Sequence, residues 1–225
     1  MMRARDHAPL PDLFDAADAS PRTSTELATG AVVLHAFALD VDVSLLAAIA
    51  AVSAAAPFRQ LSTPGGHLMS VAMTNCGLAG WISDARGYRY AATDPLSGRA
   101  WPPMPPDLSA LAQRAATSAG WGDFNPDACL VNRYEPGARM SLHQDRDERE
   151  LLHPIVSVSL GLPARFLFGG LARTDRVQRV TLAHGDVVVW GGAARLAFHG
   201  VDALRDGTHP LTGRCRINLT FRVAR

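Results

Sequence analysis

The order of apolar and polar positions divides the chain into distinct stretches. Ala31–Phe37 (AVVLHAF) is a short apolar run that predicts a strand. Val43–Ala55 (VSLLAAIAAVSAA) is rich in Leu, Ala and Ile, which favour a helix, and Pro57 closes it. Asp42 stands where an N-cap carboxylate would accept the free amides of that helix. Leu108–Ala119 (LSALAQRAATSA) predicts a second helix, ended by Gly120. From Cys129 onward the pattern shortens to CLVNRY, IVSVSLG, RFLF, RVTL, DVVVW, LAFHG and RINLTFRV, with Gly, Pro, Asp or His between them. Many short strands so punctuated predict a sandwich or a closed double-sheet barrel. In the last of them Arg216, Asn218, Thr220 and Arg222 alternate with Ile217, Leu219, Phe221 and Val223. Successive strand side chains point to opposite faces, so the polar set shares one face and the apolar set the other.

Residues 58–106 read differently. They hold Gly65, Gly66, Gly77, Gly80, Gly87 and Gly98, prolines from Pro64 to Pro106, and Trp81, Tyr88, Tyr90 and Trp101 among several Arg. Such a stretch predicts loops and short hairpins, and a loop region this long in a compact domain is usually functional. The expected architecture is α+β and mostly β, a single domain over residues 1–225. Residues 1–30 form an arm, its first part frayed, 58–106 a lid, and 128–225 the β core.

Charge and composition narrow the chemistry. Lys+Arg is 22 against Asp+Glu 21 in 225 residues, and every one of the 22 is Arg. No lysine Schiff base, phosphate-loop Lys or Ser–Lys pair is available. A net charge of +1 excludes a polycation, so any nucleic acid must be held by a local patch. Cys76, Cys129 and Cys215 are odd in number and far apart, which suits neither a disulfide framework nor a zinc ribbon and points to a reducing compartment. Met1–Gly30 has no signal-peptide apolar run, and no stretch approaches ~20 apolar residues. A soluble cytoplasmic protein is expected.

The strongest chemical signal is Ser141-Leu142-His143-Gln144-Asp145. In extended chain His143 and Asp145 share a face and can grip one ion while Gln144 points away. His199, at the end of LAFHG, offers a third ligand. Two imidazoles and one carboxylate cap one face of an octahedral ion and leave three positions open, which suits Fe(II) that binds substrate and dioxygen together. His-x-Asp alone recurs by chance, so the polar face of the last strand carries weight. It is either solvated or lines a cavity. Arg is the side chain for bidentate carboxylate binding, so a cavity with Arg216 and Arg222 would suit a dicarboxylate. Asn132 and Tyr134 share a strand face and can donate into the same space.

From Pro57 to the C-terminus the chain resembles the AlkB-type nucleic-acid demethylases, members of the 2-oxoglutarate/Fe(II) dioxygenases. The resemblance runs in order through PFRQ, TPGG, MSVAMTNCG with Trp81, DPLSGRAWPPMP, NRYEPGARMSLHQDRDE, PIVSVSLGLPARFLFGG, HGDVVVWGG, LAFHG and CRINLTFR. It implies a double-stranded β-helix, or jelly roll, with flanking N-terminal helices and a nucleotide-recognition lid. It implies His143, Asp145 and His199 as the iron ligands and catalytic centre. Arg216 and Arg222 would bind the two 2-oxoglutarate carboxylates, with Asn132, Tyr134 and Asn218 beside them. Trp81 would stack on the target base, Tyr88 and Arg173 would touch the substrate strand, and Asp147 would sit by the exocyclic amine with Glu148 next to it. Met73 and Met140 would line the base pocket. The implied cofactors are Fe(II), 2-oxoglutarate and O2. The implied partner is alkylated DNA, single- or double-stranded, with RNA as a further substrate, and the implied state is a monomer off the membrane. The competing readings are the same oxidation on a substrate other than nucleic acid, and a cupin-like metal-binding module with no activity.

Overall fold

The computed structural model describes residues 23–225. The strands in chain order are β1 Ser24–Ala28, β2 Ala31–Leu34, β3 Arg59–Ser62, β4 Leu68–Gly77, β5 Gly80–Asp84, β6 Gly87–Ala91, β7 Ala128–Tyr134, β8 Met140–His143, β9 Ile155–Gly161, β10 Ala164–Phe168, β11 Gln178–Leu182, β12 Val187–Trp190, β13 His199–Val201 and β14 Arg216–Arg222. Helices α1 (Asp42–Ala55) and α2 (Pro106–Ser118) interrupt them. An eight-stranded sheet runs β1-β2-β12-β9-β14-β7-β4-β3, a four-stranded sheet runs β11-β10-β13-β8, and β5-β6 stand as a separate hairpin. All of these pairings are antiparallel. The two larger sheets face each other across a shared core, the double-stranded β-helix.

The large sheet separates two cores. One face packs Val156, Val158, Ile217, Leu219 and Phe221 against Leu45, Ile49 and Val52 of α1 and Leu108, Leu111 and Ala115 of α2. The buried residues recur at helical spacing; α2 turns an apolar stripe to the sheet, while α1 is apolar nearly all round. The other face, with Leu130, Tyr134, Ile155 and Trp190, meets Phe166, Phe168, Leu182 and Val201 of the small sheet. Burial here is two-sided: β12 is apolar throughout, and β9 is buried throughout with Ser157 and Ser159 turned to the polar residues of β14. The apolar half of β14 faces the helices, so its polar half points inward between the sheets. Arg216, Asn218, Thr220 and Arg222 are all buried there, which excludes a solvated face.

Some expectations need correction. The frayed part of the arm, extended to residue 25, overlaps β1, which pairs with β2 from Ser24 onward; residues 1–22 lie outside the described residues. Asp42 is not a cap: Val41 holds that position without a side-chain bond, and the Asp42 carboxylate instead meets His184 Nε2 at 2.8 Å. Residues 58–106 are not loops throughout, because β3 and β4 are strands of the large sheet and only the β5-β6 hairpin with its flanking turns stands apart. The ten-residue β4 escaped notice because SVAMTNC mixes polar and apolar positions without clean alternation.

Candidate active site

His143 and His199 converge because β8 and β13 pair in a register that sets them directly opposite each other. Opposed side chains on one face of an antiparallel pair stand about 5 Å apart at Cβ, and the two rings lie 4.3 Å apart at their centroids. Gly200 permits this approach: a Cβ there would lie 2.6 Å from the Met140 carbonyl oxygen of the facing strand. Asp145 follows two residues after His143 on extended chain. Its Oδ1 lies 3.5 Å from His143 Nε2 and 3.8 Å from His199 Nε2. One ligand atom from each residue falls within 4.8 Å of the others.

The donor set fits a metal ion because every other polar atom of the three residues is already engaged. His143 Nδ1 meets the Ser141 carbonyl at 2.9 Å, and His199 Nδ1 meets the Ala197 carbonyl at 3.0 Å. A carbonyl only accepts, so each Nδ1 carries the proton and each Nε2 turns a lone pair inward. Asp145 Oδ2 accepts from Arg222 Nε at 2.9 Å, which leaves Oδ1 for the ion. Electrostatics keep His199 and Asp145 in their binding forms. Burial, with His143 beside it, pushes His199 down to about 4, so its imidazole is neutral. Burial opposes ionisation of Asp145, but Arg222 and the two imidazoles outweigh it and hold the carboxyl well below the usual range. His143 is buried too, yet its tie to Asp145 prevails and raises it.

Beside the triad lies a small cavity with Asn132, Arg216, Asn218, Thr220 and Arg222 on its polar side and Leu130, Phe166, Trp190 and Val201 on its apolar side. Arg216 is 1% exposed; its Nη2 donates to Ser159 Oγ at 2.9 Å, while Nε and Nη1 are buried without a partner. A buried guanidinium with two unpartnered nitrogens is costly unless an acceptor completes it. Burial depresses its pKa, opposed by the Tyr134 phenol, and the guanidinium carbon lies 5.0 Å from the centre of that ring. Asn218 bonds Ser157 Oγ, the Val158 carbonyl and Thr220, and Asn132 reaches Asn218 while its own Oδ1 stays buried and unpaired. Arg222 sits at the other end of β14 against Asp145. The two arginines differ: Arg216 has unpartnered donors, and Arg222 is paired beside the triad.

The β5-β6 hairpin brings in the aromatic residues. Trp81 and Tyr88 stack with centroids 5.5 Å apart, and Trp81 Nε1 donates to Asp147 Oδ2 at 2.8 Å. Arg173 is exposed in the loop after β10, its guanidinium 4.9 Å over the Phe198 ring. Met140 lines the cavity. One substrate-contact expectation does not survive: Glu148 is buried with its carboxylate beside Tyr90, Arg195 and Arg222. Met73 is buried in the cluster against which Trp81 and Met140 pack.

Three contributors went unnoticed in sequence. Asn75 clamps the backbone of Trp81 from both sides, its amide donating to the Trp81 carbonyl and its Oδ1 accepting from the Trp81 amide. Ser159 supports Arg216. Arg195 donates to the Asp145 carbonyl at 2.8 Å. A polar residue inside an apolar strand, as Asn75 and Ser159 are, was the available signal; Arg195 had none.

Comparison with known proteins agrees with this geometry. The model of the 2OG-Fe(II) oxygenase superfamily matches residues 30–222. The chain is 57% identical over 213 residues to alpha-ketoglutarate-dependent dioxygenase AlkB of Escherichia coli (strain K12), covering 95% of this chain and 97% of that one. It is 34% identical over 165 residues to DNA N(6)-methyladenine demethylase ALKBH1C of Arabidopsis thaliana, covering 62% of this chain and 36% of that one. The solved structure of OsALKBH1 superposes with a TM-score of 0.79 at 31% identity, over 89% of this chain and 99% of that one.

Proposed function

The chain belongs to the 2OG-Fe(II) oxygenase superfamily, and from that premise we propose that it repairs alkylated DNA by oxidising N-methyl groups on the pairing edge of bases such as 1-methyladenine and 3-methylcytosine. The observation that carries the reading is the adjacency of a two-imidazole, one-carboxylate triad to a buried arginine with unmet hydrogen bonds. In this reading His143 Nε2, His199 Nε2 and Asp145 Oδ1 hold Fe(II). Arg216 takes one carboxylate of 2-oxoglutarate, Arg222 lies by the other, and Asn132, Tyr134 and Asn218 orient the chain between them. Bound iron with 2-oxoglutarate and O2 supplies the oxidant that converts the methyl group to hydroxymethyl, with succinate and CO2 as co-products. The hydroxymethyl group then leaves as formaldehyde, and the ring nitrogen regains its unmethylated state.

The remaining residues hold the base. A duplex hides the pairing edge, so the base must leave the stack, and methylation there lowers that cost. The Trp81 indole supplies a face for the cationic base, worth roughly 0.5–2 kcal/mol as a cation–π contact. Asp147, already on the Trp81 N–H, places a carboxylate beside that face. Tyr88 and Arg173 follow the substrate strand, Arg173 as a phosphate partner. RNA is a further substrate, since single-stranded bases present the same edge. The protein acts as a monomer in the cytoplasm; no helix among the described residues is long and apolar enough to cross a membrane.

The test is turnover with Fe(II), 2-oxoglutarate and ascorbate on oligonucleotides carrying 1-methyladenine or 3-methylcytosine. The expected result is product lighter by one methylene unit, with succinate and formaldehyde equal to the bases repaired. Succinate formed with no change in oligonucleotide mass would move the substrate outside nucleic acid. Two arginines turned into the cavity disfavour a cupin-like module, which has no use for them.

A further inference from the structure

Glu148 is the least expected residue near the site. Its side chain is 2% exposed, yet no ligand-binding role remains for it. Oε1 accepts from the Tyr90 hydroxyl at 2.9 Å and lies 3.1 Å from Arg222 Nε. Oε2 lies 3.1 Å from Arg195 Nη2. Arg195 in turn spans to the His153 carbonyl through Nε and to the Asp145 carbonyl through Nη1. From the loop that carries the ligand Asp145, one carboxylate therefore meets the hairpin through Tyr90 of β6, the arginine at the end of β14, and Arg195.

We infer that Glu148 is a positioning residue and that the Tyr90–Glu148 hydrogen bond links the base-holding hairpin to the 2-oxoglutarate slot. This rests on the proposed function. Tyr90 lies on the strand paired with β5, directly opposite Trp81 in register. A shift of the hairpin that moves the Trp81 face moves Tyr90 with it. Tyr90 can follow only by breaking its bond or by drawing Glu148 along, and Glu148 is in contact with Arg222. Arg222 has its Nε and Nη2 on Asp145, with Glu148 as a second counter-charge. A co-substrate carboxylate arriving at Arg222 redistributes that contact, and the change reaches Tyr90. Base and co-substrate thus bias one shared element, and their affinities are coupled reciprocally. Trp81 Nε1 also ties the hairpin to Asp147 on the same loop, and Asp84 with Arg89 is local to the hairpin, but the route through Tyr90 is the one whose carboxylate lies on Arg222.

The test is calorimetric titration of 2-oxoglutarate into Mn(II)-loaded full-length protein, with and without an oligonucleotide carrying 1-methyladenine. In the unmodified protein the oligonucleotide should tighten 2-oxoglutarate at least fivefold. In Tyr90→Phe, which removes one oxygen and keeps the ring, that factor should fall below twofold. Glu148→Gln should lower it similarly, and the double variant should lose no more than either single one, because the two residues act through one bond. Retained coupling in Tyr90→Phe, or losses that multiply in the double variant, overturns the inference even where the melting temperature falls. If Glu148→Gln does not fold, Tyr90→Phe alone decides. Failure of 2-oxoglutarate to bind the unmodified protein would instead sink the slot reading itself.

Discussion

Arg216 and Asp145 are opposite cases of one electrostatic problem. Arg216 is buried with two unmet donors, so before any acid binds it is a liability to the fold. Arg216→Met keeps much of the volume and removes that cost. The expected outcome is a ligand-free protein stabilised by about 1–3 kcal/mol, read as a raised melting temperature, together with a loss of 2-oxoglutarate binding of at least a hundredfold. A variant that melts lower would show that the guanidinium is satisfied without a ligand. Asp145 is buried with Arg222 on one oxygen and two imidazoles near the other. Asp145→Ala removes a metal ligand and leaves Arg222 with Glu148 as its sole carboxylate partner. Breaking a buried pair on one side costs about 3–5 kcal/mol. Metal titration and thermal unfolding should therefore both move, metal affinity downward and melting downward. Trp81→Ala removes a stacking face and should weaken methylated oligonucleotide binding by roughly 1–3 kcal/mol, measured by fluorescence anisotropy.

Short-range pairing decides the geometry at the scale of elements. His143 and His199 meet because β8 and β13 lie in one register, and Gly200 lets the strands close. Gly200→Ala would force the Met140 carbonyl away and displace both imidazoles. The expected outcome is a marked fall in metal affinity with little change in secondary structure by circular dichroism; unaltered metal affinity would show that the close approach is dispensable. The same scale explains what could be read in advance. The helices, the core strands and the polar face of β14 were legible because periodicity is local and the inward face is decided by alternation alone. The pair His143 and Asp145 was legible for the same reason, since two residues on extended chain share a face. Their convergence with His199, 54 positions away by the numbering, depends on sheet register, which no local pattern carries; the family resemblance supplied it. Glu148 departs from its expectation because a neighbour of Asp147 in sequence is not its neighbour in chemistry. Arg195 and Tyr90 carry no local signal because their roles exist only through long-range contacts, Arg195 with the Asp145 carbonyl and Tyr90 with Glu148.

Across the whole molecule, two sheets present polar side chains inward at a place where a closed barrel would ordinarily be apolar. Four buried groups of β14, with Asn132 and Ser159, take space that packing would otherwise use, and the helices on the far face supply compensating burial. Ile49 of α1 belongs to that core, and its truncation to Ala should cost about 2–5 kcal/mol, with the metal site itself unmoved. Ligands return stability in the opposite sense. A ligand at a hundred times its dissociation constant adds about 2.7 kcal/mol to a fold that alone binds it. Metal and 2-oxoglutarate together should raise the melting temperature of the unmodified protein more than either alone.

The claim on which the rest depends is that one ferrous ion and one 2-oxoglutarate share the pocket between the sheets. Anaerobic visible absorption reads this directly, because a keto acid chelated to Fe(II) gives a weak charge-transfer band that neither gives alone. The account expects the band in the unmodified protein and its absence in Asp145→Ala and Arg216→Met at matched concentrations. A band that persists in both variants, or none in the unmodified protein, would contradict it.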